Sequence, residues 1–148
     1  MIQKVGLLLL CLFLTMQLAC GKKAPPFRSK GQCLLQLMTI NGAFKNGSVE
    51  LSGKVQALDG KKFNAKNIHG CRIYHALYSF RNPPCEGCPI DYYHYTEVKG
   101  EVVNKNIFLC KFKNINTQGI HFFRLHLIDN LGNMSKPSPL LKLLKNEN

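Results

Sequence analysis

The chain has 148 residues, with 20 Lys and Arg against eight Asp and Glu, and its formal net charge at pH 7 is +12. This length suits one ordinary domain with short additional segments and leaves no room for a second domain of that size. The surplus of cations is explained either by a well-solvated surface or by attraction to anionic phosphate groups, and it excludes no fold.

The first residues have the layout of a secretory signal. Met1–Lys4 carries one positive charge, and the 12-residue segment Val5–Met16 is apolar apart from one glycine and one threonine. A bilayer-spanning helix needs about 20 apolar residues, so the length of this segment disfavours the alternative of an uncleaved anchor helix. We therefore predict a signal peptide over residues 1–19, with cleavage before Cys20.

Cys20 stands where the apolar run gives way to a basic stretch that contains prolines. The sequence Leu18-Ala19-Cys20 resembles the bacterial lipobox. The resemblance implies a diacylglycerol on the thiol of Cys20 and a third acyl chain, such as palmitate, on its amine. Because two or more acyl chains hold a protein stably at a membrane, it also implies a lipid-anchored protein of a bacterial envelope.

Residues 20–31 are predicted to form an extended tether between the lipid and the domain. This stretch has no apolar periodicity, and Pro25 and Pro26 favour an extended path. In enterobacterial lipoproteins an Asp after the acylated cysteine favours retention in the inner membrane. Gly21 occupies that place here, which implies delivery to the outer membrane with the domain facing the periplasm.

A second resemblance begins at the same cysteine. The segment Cys20–Pro26, "CGKKAPP", is similar to the start of the small lipoproteins that accompany the lipopolysaccharide translocon of the outer membrane, which implies an accessory role in lipopolysaccharide export. Loss of Lys4 with the signal leaves 19 Lys and Arg against eight acidic residues, a net +11. Anionic lipid or lipopolysaccharide is therefore an expected partner beside an envelope protein, whereas nucleic acid does not suit the compartment.

From Cys33 onward, apolar residues recur at every second position and turn residues separate the runs. This period predicts strands over residues 33–40, 48–58, 71–80, 92–98, 106–112, 120–128 and 137–144. Turn or loop composition marks residues 41–48, 58–70 and 81–89. About seven short strands indicate an all-β sandwich, which we place over residues 32–145 with residues 146–148 as a tail.

Three segments resemble the fibronectin type III family, which implies an immunoglobulin-like sandwich. Gly119–Leu143 is similar to the last two strands of that family, and "GCRIYHALYS" and "SVELSGKV" are similar to its third and second strands. The residues that match the corner between the last two strands are Leu127, Ile128, Asp129, Gly132, Asn133, Ser135, Pro137 and Ser138. Two positions depart from the family, since the core Trp is absent near Gly53 and His121 replaces the tyrosine that begins the sixth strand.

The alternation also predicts which side chains lie in the core. Those expected to point inward are Phe123, Leu125, Leu127, Ile73 and Leu51. Phe122 should face the other way, because neighbours on a strand point to opposite sides. Truncation of Phe122 is therefore expected to cost much less stability than truncation of Phe123.

Five cysteines follow Cys20, namely Cys33, Cys71, Cys85, Cys88 and Cys110. An oxidising periplasm allows disulfides, and an odd count leaves at least one thiol free or paired outside the chain. Cys71 and Cys110 lie on predicted strands among apolar neighbours and are expected to be core thiols. A bridge between them requires Cα atoms within about 7 Å of each other.

The segment "CEGCP", Cys85–Pro89, has three interpretations. A local disulfide is favoured by Gly87, which adopts the backbone angles of a tight turn. A redox pair needs a helix N-terminus to lower a thiol pKa, and a zinc site needs four ligands, yet the sequence offers neither a following helix nor a second close pair of ligands. We predict a disulfide between Cys85 and Cys88 and keep a metal-binding or thiol-redox module as alternatives.

The sequence shows no serine elbow, glycine-rich phosphate loop or paired carboxylates, and none of its five histidines has metal-ligand spacing to a carboxylate. We therefore expect a protein that is not an enzyme and needs no cofactor or metal. The expected role is to bind or scaffold a periplasmic or outer-membrane partner, with lipopolysaccharide export as an alternative setting.

Overall fold

The computed structural model describes residues 33–60, 62–113 and 115–146. The predicted signal peptide, Cys20 and the tether lie outside the described residues. Among the described residues, no helix has the length and apolar character that a membrane crossing requires.

Strands dominate the described residues. They are β1 (Leu35–Lys45), β2 (Ser48–Ala57), β3 (Ile68–Tyr78), β4 (His94–Lys99), β5 (Val103–Asn104), β6 (Ile107–Lys113), β7 (Gly119–Asp129) and β8 (Leu141–Lys145). All neighbours pair antiparallel, in a first sheet of order β1-β2-β6-β5 and a second sheet of order β4-β3-β7-β8. The expectation of an all-β sandwich is confirmed, with the two-residue β5 as an eighth strand.

The core lies between the two sheets and follows the period of two. All five side chains expected to point inward are at most 1% exposed and belong to one cluster: Phe123, Leu125, Leu127, Ile73 and Leu51. Burial of a side chain of this size contributes roughly 1.5–3 kcal/mol. The sequence pattern therefore identified the inward faces of β2, β3 and β7.

The first hairpin is tighter than the predicted turn over residues 41–48. β1 continues to Lys45, and only Asn46 and Gly47 form the turn, both with positive φ of 49° and 69°. Such angles match the right-handed twist of the flanking strands in a two-residue hairpin loop. Gly42 belongs to the strand, where an added Cβ would lie 2.9 Å from the Leu141 side chain, so this glycine is explained by packing.

One predicted loop also contains regular structure. The loop over residues 58–70 contains a 3-10 turn, Ala65–Asn67, and the start of β3 at Ile68. The strand predicted over residues 137–144 is observed as β8, Leu141–Lys145. It pairs with β7 from Gly119↔Lys145 to Phe123↔Leu141, and this pairing occupies the backbone groups of β7 that would otherwise form an open edge.

The corner after β7 begins with a turn that is stabilised by the Asp129 side chain. The Asp129 carboxylate accepts hydrogen bonds from the backbone N–H of Leu131 at 2.9 Å and of Asn133 at 2.8 Å. Gly132 supplies the positive φ of 79° that the turn requires. The "DNLGN" part of the corner is thus explained by local hydrogen bonding.

Two buried serines complete the edge of β7 where β8 does not reach. The Ser135 hydroxyl accepts a hydrogen bond from the Leu127 N–H at 2.9 Å, and the Ser138 hydroxyl accepts one from the Leu125 N–H at 3.0 Å. Both serines are 4% exposed. Because an unpaired buried N–H is costly, these hydroxyls replace part of a strand, which gives the corner motif a structural role.

Candidate functional site

A long loop folds back over the outer face of the second sheet. Residues 79–93 join β3 to β4, and the side chains of Ile90 and Tyr92 pack on Phe122 and Ala76. Phe122 faces away from the main core as expected, but it is only 6% exposed. We therefore revise the expectation that truncation of Phe122 costs much less stability than truncation of Phe123, because the loop buries Phe122 in a second, smaller cluster.

The tip of this loop contains the predicted cysteine pair. Cys85 and Cys88 lie at disulfide-bonding distance, with their Cα atoms 5.4 Å apart. The Cys88 N–H donates a hydrogen bond to the Cys85 carbonyl at 3.2 Å, and Gly87 has a positive φ of 77°. The tight turn predicted from the sequence is therefore present, and it is exposed to solvent.

A cleft of about 850 Å³ separates the loop tip from the sheet. Its lining includes Tyr74, Tyr92, Arg124, His126 and Lys142. Tyr74 lies at the centre of an aromatic cluster, with ring centroids 5.9 Å from Tyr92 and 5.7 Å from His126. The strands place these residues together because Tyr74 of β3 pairs directly with Arg124 of β7.

Two polar atoms of the cleft have no hydrogen-bond partner among the described residues. They are the hydroxyl of Tyr92 and Nε of Arg124, and both are inaccessible to solvent. An unsatisfied buried group costs roughly 1–3 kcal/mol, and burial also raises the pKa of Tyr92. A hydrogen-bond acceptor within reach of Nε of Arg124 would relieve this cost.

A second arginine on the same face, Arg72, has hydrogen-bond acceptors for its guanidinium. Arg72 donates to the Glu97 carboxylate from Nε at 3.0 Å and from Nη2 at 2.6 Å, and it lies 4.2 Å from the ring centroid of Tyr95. The cleft itself is lined by Arg124 and Lys142 against one acidic residue, Glu86. The arrangement therefore suits an anionic group held by charge-assisted hydrogen bonds beside tyrosine rings.

A pair of histidines lies at the other side of β3, within the sandwich. Nε2 of His75 lies 3.0 Å from Nδ1 of His121, and Nε2 of His121 lies 2.9 Å from the carbonyl of Thr117. Because a carbonyl only accepts, His121 donates from Nε2, and its Nδ1 accepts the hydrogen bond from His75. Burial lowers the pKa of His75 to about 4 and also lowers that of His121.

This pair gives His121 a structural role inside the sandwich. His121 is 1% exposed and forms an edge contact with Phe44 at 5.3 Å between ring centroids. No sequence pattern links His75 to His121, because they are 46 positions apart. They meet because the register of β3 and β7 pairs His75 with Phe123 and Leu77 with His121, which makes the two histidines diagonal neighbours.

The remaining candidate residues do not assemble a metal centre. Within the described parts of the chain, no group of three or more His, Cys, Asp and Glu side chains has a geometry that would hold a metal ion. Cys33 and Cys71 are buried and Cys110 is half-buried. Cys20, the predicted lipid attachment site, lies outside the described residues.

Comparisons with known proteins identify no family for the chain. No protein-family model and no curated protein matches it. One solved structure, described as that of a myokine, is 10% identical with a TM-score of 0.45, over 76% of this chain and 97% of its own. Another, from Bacteroides uniformis and described as carbohydrate-binding, is 7% identical with a TM-score of 0.41, over 75% of this chain and 57% of its own.

Proposed function

We propose that this chain is a non-catalytic, lipid-anchored protein of a bacterial outer membrane, whose sandwich binds a protein partner through the cleft under the loop 79–93. The position in the envelope rests on the lipobox-like sequence at Cys20. The binding role rests on the cleft, where Nε of Arg124 has no acceptor. A protein that presents a carboxylate would supply one.

The surface around the cleft supports a protein partner. Tyrosine and arginine are enriched at the energetic centres of protein interfaces, because they combine apolar area with polar anchors. Tyr93 is 84% exposed and Tyr95 is 55% exposed beside the cleft strands, and Leu140 at its margin is 42% exposed. This mixture of aromatic, apolar and cationic groups matches an interface better than it matches a surface that only needs solvation.

The binding site is tested by crosslinking in cells and purification of the protein from membranes. Arg124→Gln should abolish crosslinking to the partner, because the carboxylate of the partner no longer has the Arg124 guanidinium to bind. Lys54→Gln is the matched control, since Lys54 is an exposed cation on β2 of the other sheet. Equal capture by wild type and Arg124→Gln would disprove the role of the cleft.

Anionic lipid or lipopolysaccharide is the second candidate partner, favoured by the net charge of +11 that remains after loss of Lys4 with the signal. Attraction of this kind depends on total charge and on ionic strength. Binding to vesicles of anionic phospholipid should then fall equally in Arg124→Gln and Lys54→Gln and should weaken in salt. A difference between the two variants would point back to the cleft, and capture of the lipopolysaccharide translocon would support the export role that the tether resemblance implies.

The lipid anchor is tested separately by Cys20→Ser. The variant should lose the acyl chains and move from the membrane pellet to the soluble fraction, because the thiol is the proposed attachment atom. Fractionation and intact mass measure both effects. A variant that stays in the pellet with normal processing would disprove the anchor while leaving the cleft proposal standing.

A further inference from the structure

Two thiols face each other across the interior of the sandwich. Cys71 lies on β3 of the second sheet and Cys110 lies on β6 of the first, and their sulfur atoms are 3.7 Å apart. Cys71 is fully buried between its pairing neighbours Val98 and Leu127. Cys110 is half-buried and pairs with the core residue Leu51. The sequence predicts both as core thiols and leaves a bridge between them open, subject to the separation of their Cα atoms.

We propose that Cys71 and Cys110 form a disulfide bond that joins the two sheets when the folded protein reacts with a low-molecular-weight or protein disulfide. A disulfide has a sulfur separation of about 2.05 Å, so the two sulfurs must approach each other by roughly 1.7 Å. Both side chains already point into the same space. The inference does not depend on the cleft or on its partner.

The two thiols differ in a way that sets the order of reaction. Cys71 donates its S–H to the Cys110 sulfur. This hydrogen bond lowers the pKa of Cys110 and raises that of Cys71, and the backbone N–H of Lys111 also favours the Cys110 thiolate. Because the thiolate is the attacking form of cysteine, Cys110 is the first nucleophile.

Cys110 is also the thiol that a reagent reaches first. It is more exposed than Cys71 and borders a cleft of about 580 Å³ on the first sheet. The two-residue β5 pairs only with Ile107 and Phe108, so β6 forms an edge of the sheet at Cys110. An oxidant therefore does not have to enter the closed centre of the core.

The proposed reaction is two successive thiol–disulfide exchanges. The Cys110 thiolate attacks one sulfur of the oxidant, whose S–S bond breaks, and a mixed disulfide forms as one thiolate leaves. Cys71 then loses its proton and attacks the Cys110 sulfur, which releases the second thiolate. The two cysteines lose two electrons and two protons in total, and the oxidant is reduced to two thiols.

This pairing also accounts for the odd number of cysteines. Cys85 and Cys88 lie at bonding distance from each other at the loop tip. Cys33 is 2% exposed, and burial raises its thiol pKa, so it is both shielded and poorly nucleophilic. We infer that Cys33 remains the single free thiol of the domain.

The test is a disulfide map of the purified, reduced full chain after treatment with oxidised glutathione. Free thiols are trapped in acid and alkylated in denaturant. The protein is then digested with trypsin without reduction. The sequence places Cys71 in peptide 67–72, Cys110 in 106–111, Cys33 in 31–45, and Cys85 with Cys88 in 82–99. The expected result is a crosslink between peptides 67–72 and 106–111, with peptide 31–45 alkylated.

Each other result overturns the inference. Alkylated Cys71 and Cys110 would show that the pair does not form a bond, and a crosslink of either peptide to 31–45 would show a different pairing. Cys33→Ser is the matched control and should retain the crosslink. Oxidation in denaturant should scatter the pairings among all the cysteines that have a free thiol, and an equal preference for Cys71–Cys110 there would show that the fold does not select it.

Discussion

Phe122 and Phe123 are neighbours on β7 that are buried by different parts of the molecule. Phe123 is 0% exposed between the two sheets, whereas Phe122 is 6% exposed beneath the loop 79–93. A period of two predicts that the two rings point to opposite sides, and they do. It does not predict what covers the outer side, because that depends on the path of a distant loop.

Truncation of each ring tests this difference. Phe123→Ala should destabilise the protein by about 3–5 kcal/mol, the usual range for a buried phenylalanine. Phe122→Ala should fall near the lower end, at about 3 kcal/mol, because the loop can partly collapse into the cavity. Urea denaturation measures both, with Leu109→Ala as a control at a site that is 59% exposed. A cost for Phe122→Ala as small as that of the control would mean that the loop does not cover this ring.

The loop 79–93 is the element that carries both the second cluster and one wall of the cleft. Its base is fixed by Ile90 and Tyr92 against the sheet. Its tip is turned by Cys85 and Cys88, which are exposed. The anchoring of the loop and the shape of its tip are therefore separate functions of separate residues.

Replacement of both tip cysteines by serine tests that separation. The closed ring is short, so its loss should cost less than the roughly 3 kcal/mol estimated for a 15-residue loop. We expect an unchanged circular dichroism spectrum and a slightly lower melting temperature. In the unreduced wild type, Cys85 and Cys88 should be joined by a disulfide within peptide 82–99.

The opposite findings would change the interpretation of the tip. Two alkylated thiols in the unreduced wild type, or zinc bound in a 1:1 ratio, would contradict the local disulfide and favour the metal-binding alternative. A loss of folding in the double serine variant would show that the tip, and not the base, anchors the loop.

At the scale of the whole molecule, the histidine pair links stability to pH. Burial holds the pKa of His75 at about 4, below its ordinary value of 6.5. Burial, and then the nearby charge of Lys145, also lower the pKa of His121. Between about pH 4 and pH 6.5, His75 therefore binds fewer protons in the folded state than in the unfolded state.

The sign of the effect follows from this difference in proton binding. The stability contributed by neutral His75 is fully present above about pH 6.5 and is lost as the pH falls toward about 4. The midpoint of urea denaturation should decrease across that window in the wild type. In His75→Gln, which cannot take up a proton, the decrease should be smaller. An equal decrease in both proteins would contradict the contribution of this residue.

The sequence alone determined the features that depend on neighbours along the chain. The alternation in β2 and β7 set which side chains face the space between the sheets, and Asn46 and Gly47 supplied the hairpin turn. The residues after Asp129 matched a corner that is closed by hydrogen bonds to the Asp129 side chain. These features follow from backbone geometry and local hydrogen bonds, which act over a few residues. The predicted turn at Gly42 was wrong because that glycine is explained by the side chains of Leu141, about a hundred residues away.

Only the tertiary structure decided which surfaces and groups face each other. Cys71 and Cys110 are 39 positions apart, and they meet because β3 and β6 lie in different sheets that pack together. His75 meets His121 through the register of β3 and β7. The cleft at Arg124 exists because a loop folds back over a face that the alternation describes as outward. The physical reason is that a period of two fixes the side on which a residue lies, whereas its partner is fixed by sheet order, register and the path of the loops.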